Sequence, residues 1–146
     1  MPNLNRRRGF AHERDLLLKL WRRGFAVIRA PASGAKARRF AVPDIVAIKN
    51  NRVLAFEVKT AEKKKTIYIP KHQVEKLLVF IRRAGGYGFI AVKIVGESGW
   101  RFIEVDKLEK TASGNYKVSP DMLVKSFKLG DLVSFVQGNK RIDEYI

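Results

Sequence analysis

The sequence predicts an α/β domain, and three observations carry that prediction. Leu16, Leu17, Leu20 and Trp21 recur at helical spacing within AHERDLLLKLWRR. PDIVAIK and RVLAFEVK are strand-like runs on either side of Asn50-Asn51, a pair that tolerates positive φ and suits a tight hairpin turn. Pro70 opens a second helical run, KHQVEKLLVFIRRA, which Gly85-Gly86 stops.

In chain order, a short basic arm at about 1–8 leads into the first helix, which closes by about Arg23 before Gly24. FAVIRA, residues 25–30, reads as a strand, and PASGAKARRFAV, residues 31–42, as a loop marked by Pro, Gly and Ser. The hairpin follows, then AEKKK, a short strand TIYI and the second helix. YGFIAVKIV and WRFIEV, separated by GESG, form a second hairpin; the remainder, with SPDMLVKSF and LGDLVSFVQ, reads as short and mostly helical. No internal repeat or long linker divides the chain, so residues 1–146 are expected to form one domain with a mobile arm at its start.

Thirty Lys and Arg against fourteen Asp and Glu leave a net charge of +16 and a pI near 10.4. A surplus of that size repels itself unless a polyanion belongs to the working state, so nucleic acid is the expected partner. The excess is uneven: residues 1–40 hold eleven basic side chains and two acidic ones. Absence of cysteine excludes thiolate zinc sites, disulfides and thiol catalysis. No run approaches the roughly 18 continuous apolar residues of a membrane helix, and the arginine-bearing N-terminus lacks an apolar segment behind it. A cytoplasmic, nucleoid-associated protein is expected, with no membrane contact.

The hairpin carries an anomaly. With a two-residue turn at Asn50-Asn51, residue 49 faces 52, 46 faces 55 and 44 faces 57, so Asp44 lies opposite Glu57. Like charges so placed repel unless a cation sits between them. Lys59 emerges on the same face, one step beyond Glu57. In the first helix, Glu13 precedes Leu16, Leu17 and Leu20 by three, four and seven residues, which puts a carboxylate on the apolar stripe. Such a carboxylate needs a partner, and a helix laid on the sheet would bring it to the same pocket. Hard oxygen donors from Glu13, Asp44 and Glu57 suit Mg²⁺, with Mn²⁺ as a substitute. That ion would polarise a phosphodiester and acidify a bound water, while Lys59 would orient the water, take its proton, or counter charge on the phosphoryl oxygens.

Ser33, in the loop, would hydrogen-bond a phosphate or serve only the turn. Gln73, early in the second helix, would steady a metal water or phosphate, or simply be solvated. His12 and His72 have no ligand spacing and are expected at the surface. Arg6, Arg7, Arg8, Arg29, Lys36, Arg38, Arg39, Lys63, Lys64 and Lys65 are candidates for the DNA backbone. Trp21, Trp100 and most Phe residues follow element periodicity and are assigned to the core. No helix has base-reading spacing, which favours recognition of shape.

With Pro43, Asp44, Glu57 and Lys59 in place, the chain resembles the PD-(D/E)xK nuclease superfamily of restriction-endonuclease-like fold. More narrowly, GFAHERDLLLKLWRRGFAVIRAPASG, VPDIVAIKNNRVLAFEVKT, IYIPKHQVEKLLVFIRRAGG and TASGNY resemble the archaeal Holliday junction resolvases of the Hjc type, over most of residues 7–117. The resemblance implies a mixed β-sheet flanked by α-helices and a Mg²⁺-dependent homodimer that cuts a four-way DNA junction symmetrically. It implies catalytic roles for Glu13, Asp44, Glu57 and Lys59, with Ser33 as a further active-site residue. A two-fold dimer matches two cuts in strands of like polarity. Apolar surface from YGFIAVKIV, WRFIEV and LVSFVQ is the expected interface. Other recombination proteins as partners are not readable. Flaps, nicked duplex or mismatches are alternative substrates for the same site, and a non-catalytic DNA-binding protein is the reading from another class.

Overall fold

A computed structural model describes residues 4–30 and 40–138. Its helix α1 (Leu4–Arg22) leads into β1 (Ala26–Arg29); β2 (Ile45–Lys49) and β3 (Arg52–Ala61) form the hairpin, and β4 (Ile67–Ile69) precedes α2 (Lys71–Ala84). Then come β5 (Tyr87–Ile94), β6 (Trp100–Glu104), a single 3₁₀ turn (Val105–Lys107), β7 (Glu109–Lys110), β8 (Tyr116–Val118), α3 (Pro120–Val124) and α4 (Leu129–Val136). Two sheets result, one of five strands in the order β1-β2-β3-β5-β6 and one of three in the order β4-β8-β7. In the larger sheet β3 and β5 run parallel and the other neighbours antiparallel, so the expected mixed sheet is present.

The hairpin register is the one the turn dictates. Asn50 and Asn51 both adopt positive φ, 53° and 63°, and Lys49 pairs with Arg52, Val46 with Ala55 and Ile45 with Phe56. Strand alternation then sorts β3 into two sets. Leu54 and Phe56 join Leu16, Leu20, Phe89, Phe102 and Phe135 in a core roofed by α1 and α4. Ala55 and Ala61 join Val74, Leu77, Ile90 and Val92 in a second core under α2 and the small sheet. Glu57 and Lys59 share the alternation of Ala55 and Ala61, and so lie on the α2 side.

The end of the chain braces this hairpin. Asn50 Nδ2 donates to the Val136 carbonyl (3.0 Å) and Arg52 Nη1 to the Phe135 carbonyl (2.5 Å), while the Arg52 guanidinium lies 4.7 Å from the Phe135 ring centre. At the other end of α2, Gly85 takes φ 69° and closes the helix, and Gly86 passes so close to β3 that a β-carbon there would stand 2.5 Å from the Val53 carbonyl oxygen. Gly86→Ala should therefore cost about 2 kcal/mol or more. The check is a fall in the guanidinium midpoint at unchanged m-value.

Helix α1 begins at Leu4, inside the stretch expected to be a mobile arm, so Arg6, Arg7 and Arg8 stand on its first turns. Three expectations are corrected. Trp21 is not core: it is 63% exposed, because the register that buries Leu16 and Leu20 turns residue 21 away from the sheet. Trp100 is buried as expected, its indole donating to Asp15 at 2.8 Å. The runs YGFIAVKIV, WRFIEV and LVSFVQ do not form a spare apolar face: Phe89, Ile90, Val92, Phe102, Ile103, Leu132, Phe135 and Val136 are spent on the two cores. The segment read as mostly helical also contributes β7 and β8, which pair with each other, β8 also pairing with β4.

Candidate active site

Glu57 is the one charged side chain in the buried set among the described residues, 3% exposed on a central strand. Across the hairpin, Asp44 sits one residue before β2, where the sheet ends. One of its oxygens, Oδ2, accepts the Val58 N–H at 2.9 Å, which fixes the carboxylate beside β3 and within hydrogen-bond reach of the Glu57 carboxyl. The Glu57 pKa is pushed up to about 8, first by burial and then by the Asp44 charge and a hydrogen bond to it, with Lys76 opposing. The pair is thus short of positive charge.

Glu13 arrives from the other layer. Helix α1 packs on the opposite sheet face from Glu57, so Glu13 meets Asp44 at the strand end rather than across one face. Burial and the Asp44 charge raise its pKa, and Arg29 opposes them. Arg29 Nη2 lies 3.4 Å from Glu13 Oε2, its guanidinium stands 4.7 Å from the Phe10 ring centre, and its buried Nε makes no hydrogen bond among the described residues. The acids therefore form a chain, Glu13 to Asp44 to Glu57, with Asp44 in the middle.

Lys59 completes the group. Burial lowers its pKa, Glu57 and Asp44 raise it, and Lys76 lowers it again. Its ammonium donates to Gln73 Oε1 from the first turn of α2. One turn further along α2, Lys76 places Nζ 3.0 Å from Glu57 Oε1. Sequence reasoning missed Lys76: it shares a helix face with Gln73, three residues earlier, but nothing in the sequence marks the carboxylate it meets. His12 is half-buried and shares a 3.0 Å hydrogen bond with Thr60, whereas His72 is exposed as expected. Lys63, Lys64 and Lys65 are exposed between β3 and β4. Ser33, Lys36, Arg38 and Arg39 lie outside the described residues.

No three carboxylates or histidines among the described residues are gathered tightly enough to bind one ion as they stand. Asp44 and Glu57 nevertheless fit a divalent cation. Glu57 Oε1 is buried, and although Lys76 is near it, no aligned hydrogen bond reaches that oxygen among the described residues. Two touching carboxyls, one with its pKa driven up, offer the hard oxygen donors that a divalent cation takes.

Metal-free stability should report this directly. The folded pKa of Glu57, about 8, lies above its ordinary value of 4.5, so between those limits the folded state holds more protons than the unfolded state. Stability then falls as pH rises through that window, by on the order of 3–5 kcal/mol. In EDTA, denaturant midpoints of the wild type should drop from pH 5 to pH 8.5; those of Glu57→Gln should lack most of that drop.

A mixed sheet that sets an aspartate, a buried glutamate and a lysine side by side at the end of a hairpin defines a nuclease of the restriction-endonuclease-like class. Comparison with known proteins narrows this. The sequence profile of the family described as archaeal Holliday junction resolvase (Hjc) matches residues 4–141. The crossover junction endodeoxyribonuclease Hjc of Sulfurisphaera tokodaii is 40% identical over 146 residues, with 99% of each chain covered. That of Sulfolobus acidocaldarius is 35% identical over 144 residues, 97% of this chain and 99% of the relative. The solved structure of Archaeoglobus fulgidus Hjc, a Holliday junction resolvase, matches with a TM-score of 0.78 at 34% identity, covering 86% of this chain and 99% of that one. The chain belongs to the archaeal Holliday junction resolvase family.

Proposed function

We propose that this protein is a structure-selective endodeoxyribonuclease that resolves four-way DNA junctions by Mg²⁺-dependent phosphodiester hydrolysis, making paired symmetric nicks. The observation that carries the reading is buried Glu57 pressed against Asp44 with Lys59 beside it, in a chain of net charge +16. Asp44 and Glu57 would hold the Mg²⁺, with Glu13 adding negative charge behind Asp44. When bound, the ion supplies Lewis acidity toward a phosphoryl oxygen and an acidic water.

The chain's own groups do the rest. Lys59 gives one N–H to Gln73, which leaves two donors for the attacking water and a phosphoryl oxygen. Its lowered pKa eases exchange of a proton with that water. Ser33, which lies outside the described residues, would be a further active-site residue that hydrogen-bonds a phosphate, as the family resemblance implies. Arg29 steadies Glu13, and Arg6, Arg7, Arg8, Arg29, Lys36, Arg38, Arg39 and Lys63 to Lys65 track the DNA backbone, so they set affinity and not base choice. Six such contacts would give a slope of about −5 in log affinity against log salt.

The whole chain acts as one nuclease domain, and two copies related by a two-fold axis supply two sites for two strands. Among the described residues no helix is long and apolar enough to cross a membrane, and a DNA substrate supports the reading of a cytoplasmic protein that works at the chromosome. Labelled four-way junction, flap, linear duplex and single strand, each with Mg²⁺ or EDTA, form the test. Paired nicks about the branch point with Mg²⁺ alone are expected. Equal cutting of linear duplex or flap would overturn the substrate assignment, and binding without cutting would overturn the enzyme.

A further inference from the structure

Lys76 has no part in the reaction described above, yet it reaches the most buried charge among the described residues. Its side chain is 31% exposed, whereas that of Glu57 is 4% exposed, and their ion pair spans 3.0 Å. The long stem runs from solvent down the α2 face, so the ammonium can leave without disturbing either core. Glu57 cannot follow it, because its backbone is locked in β3 between β2 and β5. Gln73, a turn earlier, holds the other ammonium of the pocket, that of Lys59. The side of Glu57 that bears Oε1 is therefore covered by a cation that belongs to the chain, and this cation is the movable member of the group.

We propose that Lys76 is a resident counter-ion and a positioning residue: in the metal-free protein it pairs with the Glu57 carboxylate whenever that group is ionised, yields it to the divalent cation, and so sets the metal affinity of the site. The proposal rests on the metal-site reading given above. The physical reason is competition for one carboxylate. A divalent cation that takes Glu57 must break the Lys76 pair, and two like charges cannot share the oxygen at short range. Loss of Lys76 removes the competitor while both acidic groups stay in place, and it leaves the metal-free site with less positive charge.

Calorimetric titration with Ca²⁺, without DNA, separates this from a purely structural role. Because losing Lys76 raises the Glu57 pKa further, affinities are compared on the alkaline plateau where they no longer change with pH and protons have ceased to compete for the carboxylates. Lys76→Met should then bind Ca²⁺ about 5- to 30-fold more tightly than the wild type, which corresponds to removing a competing ion pair worth about 1–2 kcal/mol. Lys76→Arg, which keeps a cation, should restore weaker binding. The rise in melting temperature on adding Ca²⁺ should also be larger for Lys76→Met than for the wild type. A lysine that merely braced α2 would give equal or weaker binding when removed, and that result overturns the proposal. Should Lys76→Met not fold, Lys76→Gln gives the same comparison. Wild-type protein that binds no Ca²⁺, or a Glu57→Gln variant that binds as well as wild type, would instead overturn the metal-site reading and the proposal with it.

Discussion

Glu57→Gln is expected to lower junction cleavage by at least about 10³-fold while junction binding persists. The substitution keeps shape and polarity but cannot carry the charge that a divalent ion requires. Glu57 has no substitute: it is the buried acid, and its partner Asp44 already uses Oδ2 to accept the Val58 N–H. The same change should leave the metal-free fold intact at neutral pH, or strengthen it. Glutamine resembles the protonated acid that the folded state prefers, since the pKa of Glu57 stands at about 8. Loss of activity joined to unchanged or raised stability is a combination that simple misfolding does not produce. Cleavage rates under single turnover, gel-shift affinities in Ca²⁺ and denaturation in EDTA together check it.

Lys59→Met is expected to reduce the single-turnover rate by about 10²–10⁴-fold, with junction affinity nearly unchanged. Methionine fills similar space in a half-buried position but supplies no donor. Gln73 then loses the ammonium that its Oε1 accepts, and the two carboxyls lose a neighbouring positive charge. Because Lys59 lies in the pocket and not on the open basic surface, its effect should fall on the chemical step. Lys63, Lys64 and Lys65, exposed in the following loop, should behave in the opposite way: changing them to Ala weakens binding and flattens the salt dependence but spares the rate at saturation.

The hairpin was legible in the sequence because a two-residue Asn-Asn turn allows one pairing, and that pairing alone brings Asp44 to Glu57. Lys59 followed from alternation, and the helix ends from Pro70 and Gly85. Glu13 was legible as a misfit on an apolar stripe, but not its route: helical periodicity says which residues face the sheet, not which face of the sheet they cover. Trp21 shows the same limit, since the register that buries Leu16 and Leu20 turns residue 21 away from the sheet. Strands β7 and β8, two and three residues long, are too short for alternation to register; they form by pairing, β8 with β4 and β7 with β8. Lys76 was invisible for a different reason. A lysine in an exposed-looking helix carries no mark of the carboxylate it will meet, which lies nineteen positions earlier on another element.

Occupancy of the acid pair by a divalent cation is tested most directly by anomalous diffraction from crystals soaked in Mn²⁺. A strong peak within coordination distance of both the Asp44 and Glu57 carboxylates, absent from Glu57→Gln crystals, is the expected result. No peak there, or a peak that survives the substitution unchanged, would contradict it.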